Sequence, residues 1–172
     1  SGIPFCWDNS EGTTTTESYK WNYYASSTDT CARFNSYSNG SGNTNVLVTP
    51  LFYLEKEAYL TFDWKNPTGG EGVIYLTRNG VAKPDTLETK LKSISSWKQY
   101  SFDLTQYTGD TVAIHFKGTS NWGSDDAYLY LDNVKLNLWP DCRTISTLRV
   151  DSLGVNAAKL SWTATKAAQY QL

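Results

Sequence analysis

The sequence predicts an all-β protein whose antiparallel strands pack as a two-sheet sandwich. Polar and apolar residues alternate in several short runs, most clearly over 111–117 and 127–136. Alternation with a period of two places one set of side chains on a buried face and the other in water. Turn-forming residues such as Gly109-Asp110 separate the runs. Aromatic residues make up 15% of the chain and Met is absent, a composition typical of β-rich extracellular proteins.

The predicted strands follow one another up to about residue 138. An alternating aromatic run, Tyr19 to Tyr24, is the first strand within a polar stretch over 13–44. Later strands are predicted at 45–52, 57–64, 72–78, 98–104, 111–117 and 127–137. Asn79-Gly80 suits a tight hairpin turn, whereas Asp85 to Ile94, preceded by Pro84, has the pattern of a helical turn. Many short strands joined by turns favour a sandwich over a parallel α/β sheet.

A domain boundary is predicted after residue 138, because Pro140 breaks the last strand and a new strand pattern begins beyond it. Within residues 139–172, strand-like runs at 147–150 and 158–164 flank a turn. This tail resembles the first strands of a fibronectin type III domain, a fold of seven strands over about 100 residues. The chain is therefore expected to be truncated within a second domain. Since it has no initiator Met, it is expected to be a mature or excised fragment.

Charge and cysteine content exclude several classes of function. The formal net charge is −2, so we expect no nucleic-acid partner. No apolar run approaches the ~20 residues that span a membrane, so no membrane insertion is expected. Cys6 and Cys31 are either a disulfide, which suits an oxidising compartment, or two buried thiols; Cys142 stands apart. With a single His and no Cys-x-x-Cys pair, a Cys/His zinc site is excluded.

The sequence also argues against an enzyme. His115 is the one histidine available as a catalytic base, and it is out of phase with the apolar residues of its strand, so we expect it on the opposite face and partly solvated. No Gly-x-Ser-x-Gly motif is present. A pair of carboxylates could serve glycoside hydrolysis, but charged loop residues are ordinary surface. We therefore predict a non-enzyme.

Short motifs, taken in order, resemble one family. They are Ile3-Pro4-Phe5-Cys6-Trp7, the runs 45–51 and 58–64, the strand 97–104, the strand 107–116 and the closing Leu131-Asp132-Asn133-Val134. Together they resemble a cleaved-adhesin domain, a group that belongs, with the choice-of-anchor J domains, to the MAM-like jelly-roll sandwiches of secreted proteins. The resemblance covers about residues 3 to 138 and implies a jelly-roll β-sandwich of two antiparallel sheets over 1–138.

The function implied by this resemblance is that of a non-catalytic adhesin or ligand-binding module of a secreted or cell-surface bacterial protein. Its expected partner is a glycan or a host extracellular protein, and the isolated module is expected to be a monomer. Two alternatives remain open. One is an architectural spacer, and the other is an accessory domain of a larger secreted protease or glycosidase.

A structural Ca²⁺ is a further expectation. Asp132 lies in an apolar strand, where burying an unpaired carboxylate is costly. In MAM-like modules the Asp of the closing strand helps to hold a calcium ion against the N-terminal segment, and Asp132 matches it, although Asn133 stands at the next position. The acidic Phe-Glu that the family carries just upstream of its Pro-x-x-Trp motif is missing, and the Asp-rich loop of some relatives is replaced by residues 11–17. Asp8 and Glu11 are the candidates to compensate. Otherwise Asp132 caps backbone N–H groups or faces water.

The aromatic residues suggest where a ligand binds. Trp122 lies in the polar loop 119–126 and has no alternating partner to bury it. Rigid aromatic rings stack on sugars at a small entropic cost, and polar neighbours select hydroxyl groups. The predicted ligand contacts are Trp122, Asn121, Asp125, Tyr37 and Trp21. Trp7, Trp64 and Trp97 fall at strand positions and are expected in the core.

Overall fold

The computed structural model describes residues 4, 6–27, 30–67, 70–91, 93–122, 127–140 and 148–162. Nearly all of the regular structure in these ranges is β-strand, with two short 3₁₀ segments, Glu17–Tyr19 and Thr105–Tyr107. The chain divides into two compact units, Ser1–Asn137 and Leu138–Leu172. Neither described helix is long and apolar enough to cross a membrane. The predicted all-β fold class is confirmed.

Two antiparallel sheets build the first unit. Its described strands are β1 (Asn22–Ala25), β2 (Thr30–Asn35), β3 (Thr44–Val48), β4 (Phe52–Tyr53), β5 (Ala58–Asn66), β6 (Glu71–Arg78), β7 (Asp85–Leu91), β8 (Ile94–Asp103), β9 (Thr111–Thr119) and β10 (Tyr128–Leu138). One sheet has the order β1-β2-β10-β5-β8, and the other has β3-β9-β6-β7 with β4 also paired to β9. The N-terminal segment adds isolated bridges to β3, Asp8 to Val48 and Gly12 to Asn45.

The core lies between the two sheets and is rich in aromatic rings. Alternate residues of β5 are buried along its whole length, which is the pattern of a strand with one face on a core. The Phe62 ring meets the Phe116 ring edge-on at 5.2 Å, so the two sheets touch directly through these residues. Trp64 is fully buried and Trp7 packs against the same cluster, as predicted for both.

Three local predictions were wrong. The stretch from Asp85 is not a helical turn, because β7 pairs with β6 in an antiparallel ladder that tolerates two register shifts. Strand β2 was not predicted at all, yet it lies between β1 and β10 in its sheet. A turn is present at Asn79-Gly80, with Gly80 at φ +77°, but the connection between β6 and β7 extends over 79–84, so the predicted tight hairpin is wrong.

The second unit contains a hairpin in its described part. Strand β11 (Arg149–Leu153) pairs antiparallel with β12 (Ala158–Ser161), with an irregularity between Val150 and Ser152. The resemblance of this segment to a fibronectin type III domain stays a prediction. Cys142 lies outside the described residues. Cys6 is exposed and Cys31 is buried, and no disulfide joins these two.

Candidate ligand-binding site

Two loops meet at one end of the first unit through a buried pair of serines. Ser120 Oγ donates to the backbone oxygen of Asn39 at 2.7 Å and lies 3.1 Å from that of Ser36. The backbone N–H of Asn121 donates in turn to Ser36 Oγ at 3.2 Å. Ser36 and Ser120 are both buried, so these bonds are shielded from competing water. They fix the loop after β9 against the loop after β2.

Trp122 projects from this junction. The residue is 66% exposed, while its backbone N–H donates to Ser120 Oγ at 3.2 Å. Its φ is +52°, a left-handed conformation that bulky residues rarely adopt and that persists only where the surroundings impose it. Tyr37, on the facing loop, is 43% exposed, and its N–H donates to Asn35 Oδ1 at 3.0 Å. The loops thus place two exposed aromatic residues at one end of the sandwich.

The structure brings together three of the five predicted ligand contacts: Trp122, Asn121 and Tyr37. Asp125 lies outside the described residues. Trp21 was wrongly predicted as a contact, because it is fully buried between Phe34 and Trp64. Its backbone N–H donates to Asn45 Oδ1 at 2.8 Å, so Trp21 anchors the N-terminal segment to the core and cannot offer a ring face to a ligand.

The three predicted metal ligands each have a separate set of contacts. The Asp8 carboxylate accepts hydrogen bonds from the Ser10 hydroxyl and N–H, at 2.8 and 2.9 Å, and these bonds lower the pKa of Asp8. Glu11 Oε2 lies 3.9 Å from His115 Nδ1. Asp132 Oδ1 accepts the Asn133 N–H at 2.7 Å, and Asp132 is half-exposed instead of buried. The burial cost that motivated a cation at Asp132 is therefore reduced.

Calcium takes six to eight oxygen ligands, usually with several carboxylates among them. In the described part of the chain, no three His, Cys, Asp or Glu side chains are close enough together to hold a metal ion. A cavity of about 300 Å³ beside Asp132 is lined by apolar groups such as Trp7, Leu47 and Leu131, and Asp132 is the one carboxylate among its described lining residues. Within the described ranges, Asp132, Asp8 and Glu11 therefore do not come together as a cluster that could hold a calcium ion.

His115 is buried, and its expected partial solvation was wrong. The Tyr75 ring stacks on the imidazole with 4.5 Å between ring centroids, and His115 Nε2 lies 2.9 Å from Thr77 Oγ1. Burial lowers the pKa of His115, and the nearby Glu11 carboxylate opposes this shift. The imidazole is thus packed within the outer face of its sheet instead of facing solvent.

A second surface was missed in the sequence. The outer face of the β1-β2-β10-β5-β8 sheet carries a cluster, here called the aromatic–cationic face. Its members are Tyr24, Arg33, Lys65, Trp97, Tyr128 and Tyr130. Tyr128 and Tyr130 alternate along β10 with the core residues Leu129 and Leu131. Trp97 was expected in the core but is 37% exposed, with its ring edge-on to Tyr130 at 6.2 Å.

No family model matches the chain, and no curated protein matches it. Solved structures with the same fold include the K1 cleaved adhesin domain of Lys-gingipain from Porphyromonas gingivalis W83, with a TM-score of 0.56, 19% identity, and coverage of 81% of this chain and 94% of that one. The K3 cleaved adhesin domain of the same protein has a TM-score of 0.54, 17% identity, and coverage of 80% and 93%.

A mutant of a carbohydrate binding module of family 29 has a TM-score of 0.50, 16% identity, and coverage of 78% of this chain and 82% of that one. The first unit is therefore a jelly-roll sandwich of the kind found in adhesin domains and carbohydrate-binding modules. The predicted resemblance to a cleaved-adhesin domain is confirmed for its fold.

Proposed function

We propose that this chain is a non-catalytic binding module of a secreted or cell-surface bacterial protein and that it binds a glycan at the loop site formed by Trp122, Tyr37 and Asn121. The observation that carries this proposal is the exposed indole of Trp122, held in a left-handed backbone conformation by a buried hydrogen-bond network. Strained, over-determined positions of this kind cluster at ligand sites. A fixed ring binds with little loss of side-chain entropy.

A sugar suits this arrangement chemically. The C–H face of a pyranose is apolar and matches the face of an indole, while its hydroxyls require donors and acceptors beside the ring. Asn121 supplies an amide next to Trp122, and its Oδ1 is 3.3 Å from Ser36 Oγ. The fold is also that of proteins named as adhesin domains and as carbohydrate-binding modules, which supports a binding role.

The test is a screen of labelled protein on an array of neutral and acidic oligosaccharides, followed by calorimetric titration with the strongest binder. We expect Trp122→Ala to weaken binding about tenfold or more, since one stacked aromatic can dominate such a contact. Tyr53→Ala is the matched control, because Tyr53 is 61% exposed but pairs with Thr111 at the start of β9, whereas Trp122 follows the end of that strand. Equal affinity of the Trp122→Ala variant and the wild type would overturn the loop site.

A host extracellular protein is the second candidate ligand of the same loop site, because exposed aromatic residues are also favoured at protein interfaces. Absence of binding to every array glycan, together with Trp122-dependent binding to an immobilised extracellular-matrix protein such as fibronectin, would favour it. No binding to either would favour an architectural spacer or an accessory domain of a larger secreted protease or glycosidase.

A further inference from the structure

The aromatic–cationic face holds two positive charges in fixed positions. The guanidinium carbon of Arg33 lies 3.9 Å from the ring centroid of Tyr24 and 4.3 Å from that of Tyr128. The ammonium group of Lys65 lies 4.9 Å from the ring centroid of Tyr130. Cation–π contacts of this length are attractive and restrict both long side chains. The charged groups are therefore pre-positioned on the sheet.

Neither cation has a carboxylate partner among the residues that the structure describes. The ion pairs found there involve other basic residues, namely Lys20, Arg78, Lys90 and His115. Arg78, for comparison, lies 3.0 Å from Asp85 and 3.6 Å from Asp110. Within the described part of the chain, these two half-exposed cations therefore leave positive charge available to a ligand.

The cluster crosses the whole sheet. Tyr24 lies on β1, Arg33 on β2 and Tyr130 on β10, and the register places Arg33 opposite Tyr130. Tyr130 is only 8% exposed although its ring points away from the core, because the rings of Tyr24 and Trp97 pack against it. The two cations and the exposed Trp97 therefore surround the buried Tyr130 on this face of the sheet.

This geometry disfavours a neutral sugar on the tyrosines. A pyranose can stack flat on an aromatic ring only if that face is open, and Arg33 already lies over Tyr24 and Tyr128. A guanidinium stacked in this way keeps its N–H donors at its edge, where a carboxylate or sulfate can accept two of them. The face is thus better matched to an anion than to a hydroxyl-only ligand.

We infer that the aromatic–cationic face binds an acidic polysaccharide, whose carboxylate or sulfate groups contact Arg33 and Lys65 while a sugar ring stacks on Trp97. This surface is separate from the loop site at Trp122, and the inference does not rest on the function proposed for that loop. Because the chain has a formal net charge of −2, general attraction of polyanions to the protein is weak. Binding of an acidic glycan therefore requires a local arrangement of cations.

The experiment is a calorimetric titration of the full chain with three defined probes at low ionic strength. An oligogalacturonate carries carboxylates, a heparin-derived oligosaccharide carries sulfates as well, and cellohexaose carries no charge. We expect binding to at least one acidic probe, weaker binding to cellohexaose, and a loss of affinity as salt is added. Binding of the heparin probe alone would assign sulfate as the anion recognised, and binding of the oligogalacturonate would assign carboxylate.

The variants locate the site. Arg33→Gln is expected to lower affinity about ten- to hundredfold, which is the range for a lost charge-assisted hydrogen bond, and Lys65→Gln should lower it less. Lys83→Gln is the matched control, because Lys83 is exposed in the loop between β6 and β7 of the other sheet. Arg33→Lys keeps the charge but lacks the planar fork, so it should recover only part of the affinity.

Three results would overturn the inference. One is no binding of either acidic probe by a wild-type chain that is shown to be folded by its thermal melt. Another is an equal loss of affinity in Lys83→Gln and Arg33→Gln, which would indicate unspecific charge attraction. The third is a loss in Trp122→Ala with full affinity in Arg33→Gln, which would assign the acidic glycan to the loop site instead. Should Arg33→Gln melt well below the wild type, the Lys65→Gln and Arg33→Lys variants carry the test.

Discussion

Asn45 provides a direct test of how the first unit holds its N-terminal segment. Its side chain is fully buried and forms three hydrogen bonds to backbone groups. Oδ1 accepts the Trp21 N–H at 2.8 Å, while Nδ2 donates to the carbonyl oxygens of Asn9 and Glu11, both at 2.7 Å. One amide thus joins strand β3 to two parts of the preceding chain.

Asn45→Asp keeps the shape and the acceptor but replaces both donors by an oxygen that faces two carbonyl oxygens. Two lost hydrogen bonds cost about 1 kcal/mol each, and a buried polar group without a partner costs about 1–3 kcal/mol more. The Glu11 carbonyl still accepts a hydrogen bond from the Val46 N–H at 3.0 Å. The cost of an unpaired acceptor therefore falls mainly on the Asn9 carbonyl. We expect a decrease of about 3–5 kcal/mol in the free energy of unfolding at pH 7, out of a total of about 5–15 kcal/mol for a domain.

Urea denaturation followed by tryptophan fluorescence measures this decrease, because buried Trp21 and Trp64 report on the core of the first unit. Burial raises the pKa of the introduced carboxyl, and its protonated form regains one donor. The deficit of Asn45→Asp relative to the wild type should therefore shrink as the pH falls. Asn79→Asp, in an exposed turn, is the control and should change stability by less than about 0.5 kcal/mol. A deficit below about 1 kcal/mol for Asn45→Asp, or one that grows on acidification, would refute this account.

Three further predictions concern packing, pH and metal. Gly72→Ala should cost about 1–3 kcal/mol in urea denaturation, because an added Cβ would lie 2.6 Å from the buried Trp64 ring; a neutral result would contradict the close packing. Since burial lowers the pKa of His115, the unfolded chain binds a proton more readily. The contribution of His115 to stability should therefore be full above about pH 6.5 and decrease as the pH falls below it. His115→Gln should reduce this dependence of the free energy of unfolding on pH. An unchanged pH dependence would show that His115 is not its cause. In metal-stripped protein, calcium should leave the melting temperature unchanged; a rise of several degrees, about 2.7 kcal/mol at 100-fold over the dissociation constant, lost in Asp132→Ala, would restore the calcium prediction.

Regular alternation predicted most strands closely, as with β9 and β10, because each has one face on the core and the period of two is visible without knowledge of the partners. β2 was missed because its burial does not follow strict alternation: Cys31 and Phe34 are buried, whereas Arg33 between them is half-buried under aromatic rings. β7 was missed because its pairing with β6 is irregular, so its sequence does not need a regular alternation of polar and apolar residues.

The candidate site residues also differed in how well the sequence predicted them. Trp122 could be identified from sequence because its local surroundings are polar and offer no burial, and its exposure agrees with that prediction. Trp21 could not be assigned from sequence, since it is buried by Phe34 and Trp64, which lie on other strands. The placement of Glu11 beside His115 likewise depends on the pairing of the N-terminal segment with β3. Local polarity therefore predicts exposed loop residues better than it predicts contacts across a sheet.

The aromatic–cationic face could not be predicted from the sequence, because its residues come from several strands. Arg33 contacts Tyr128, which is distant in sequence, only because β2 and β10 are neighbours in the sheet, and the order β1-β2-β10-β5-β8 is not encoded in any local pattern. Tyr130 carries a polar hydroxyl and lies on the outer face of its sheet. It is nevertheless buried, because side chains from other strands cover it. A jelly roll interleaves strands from distant parts of the chain, so a binding face on its sheet is assembled from single residues on several strands. Such a face becomes visible only when strand order and register are known, whereas a loop site can be found from one contiguous segment.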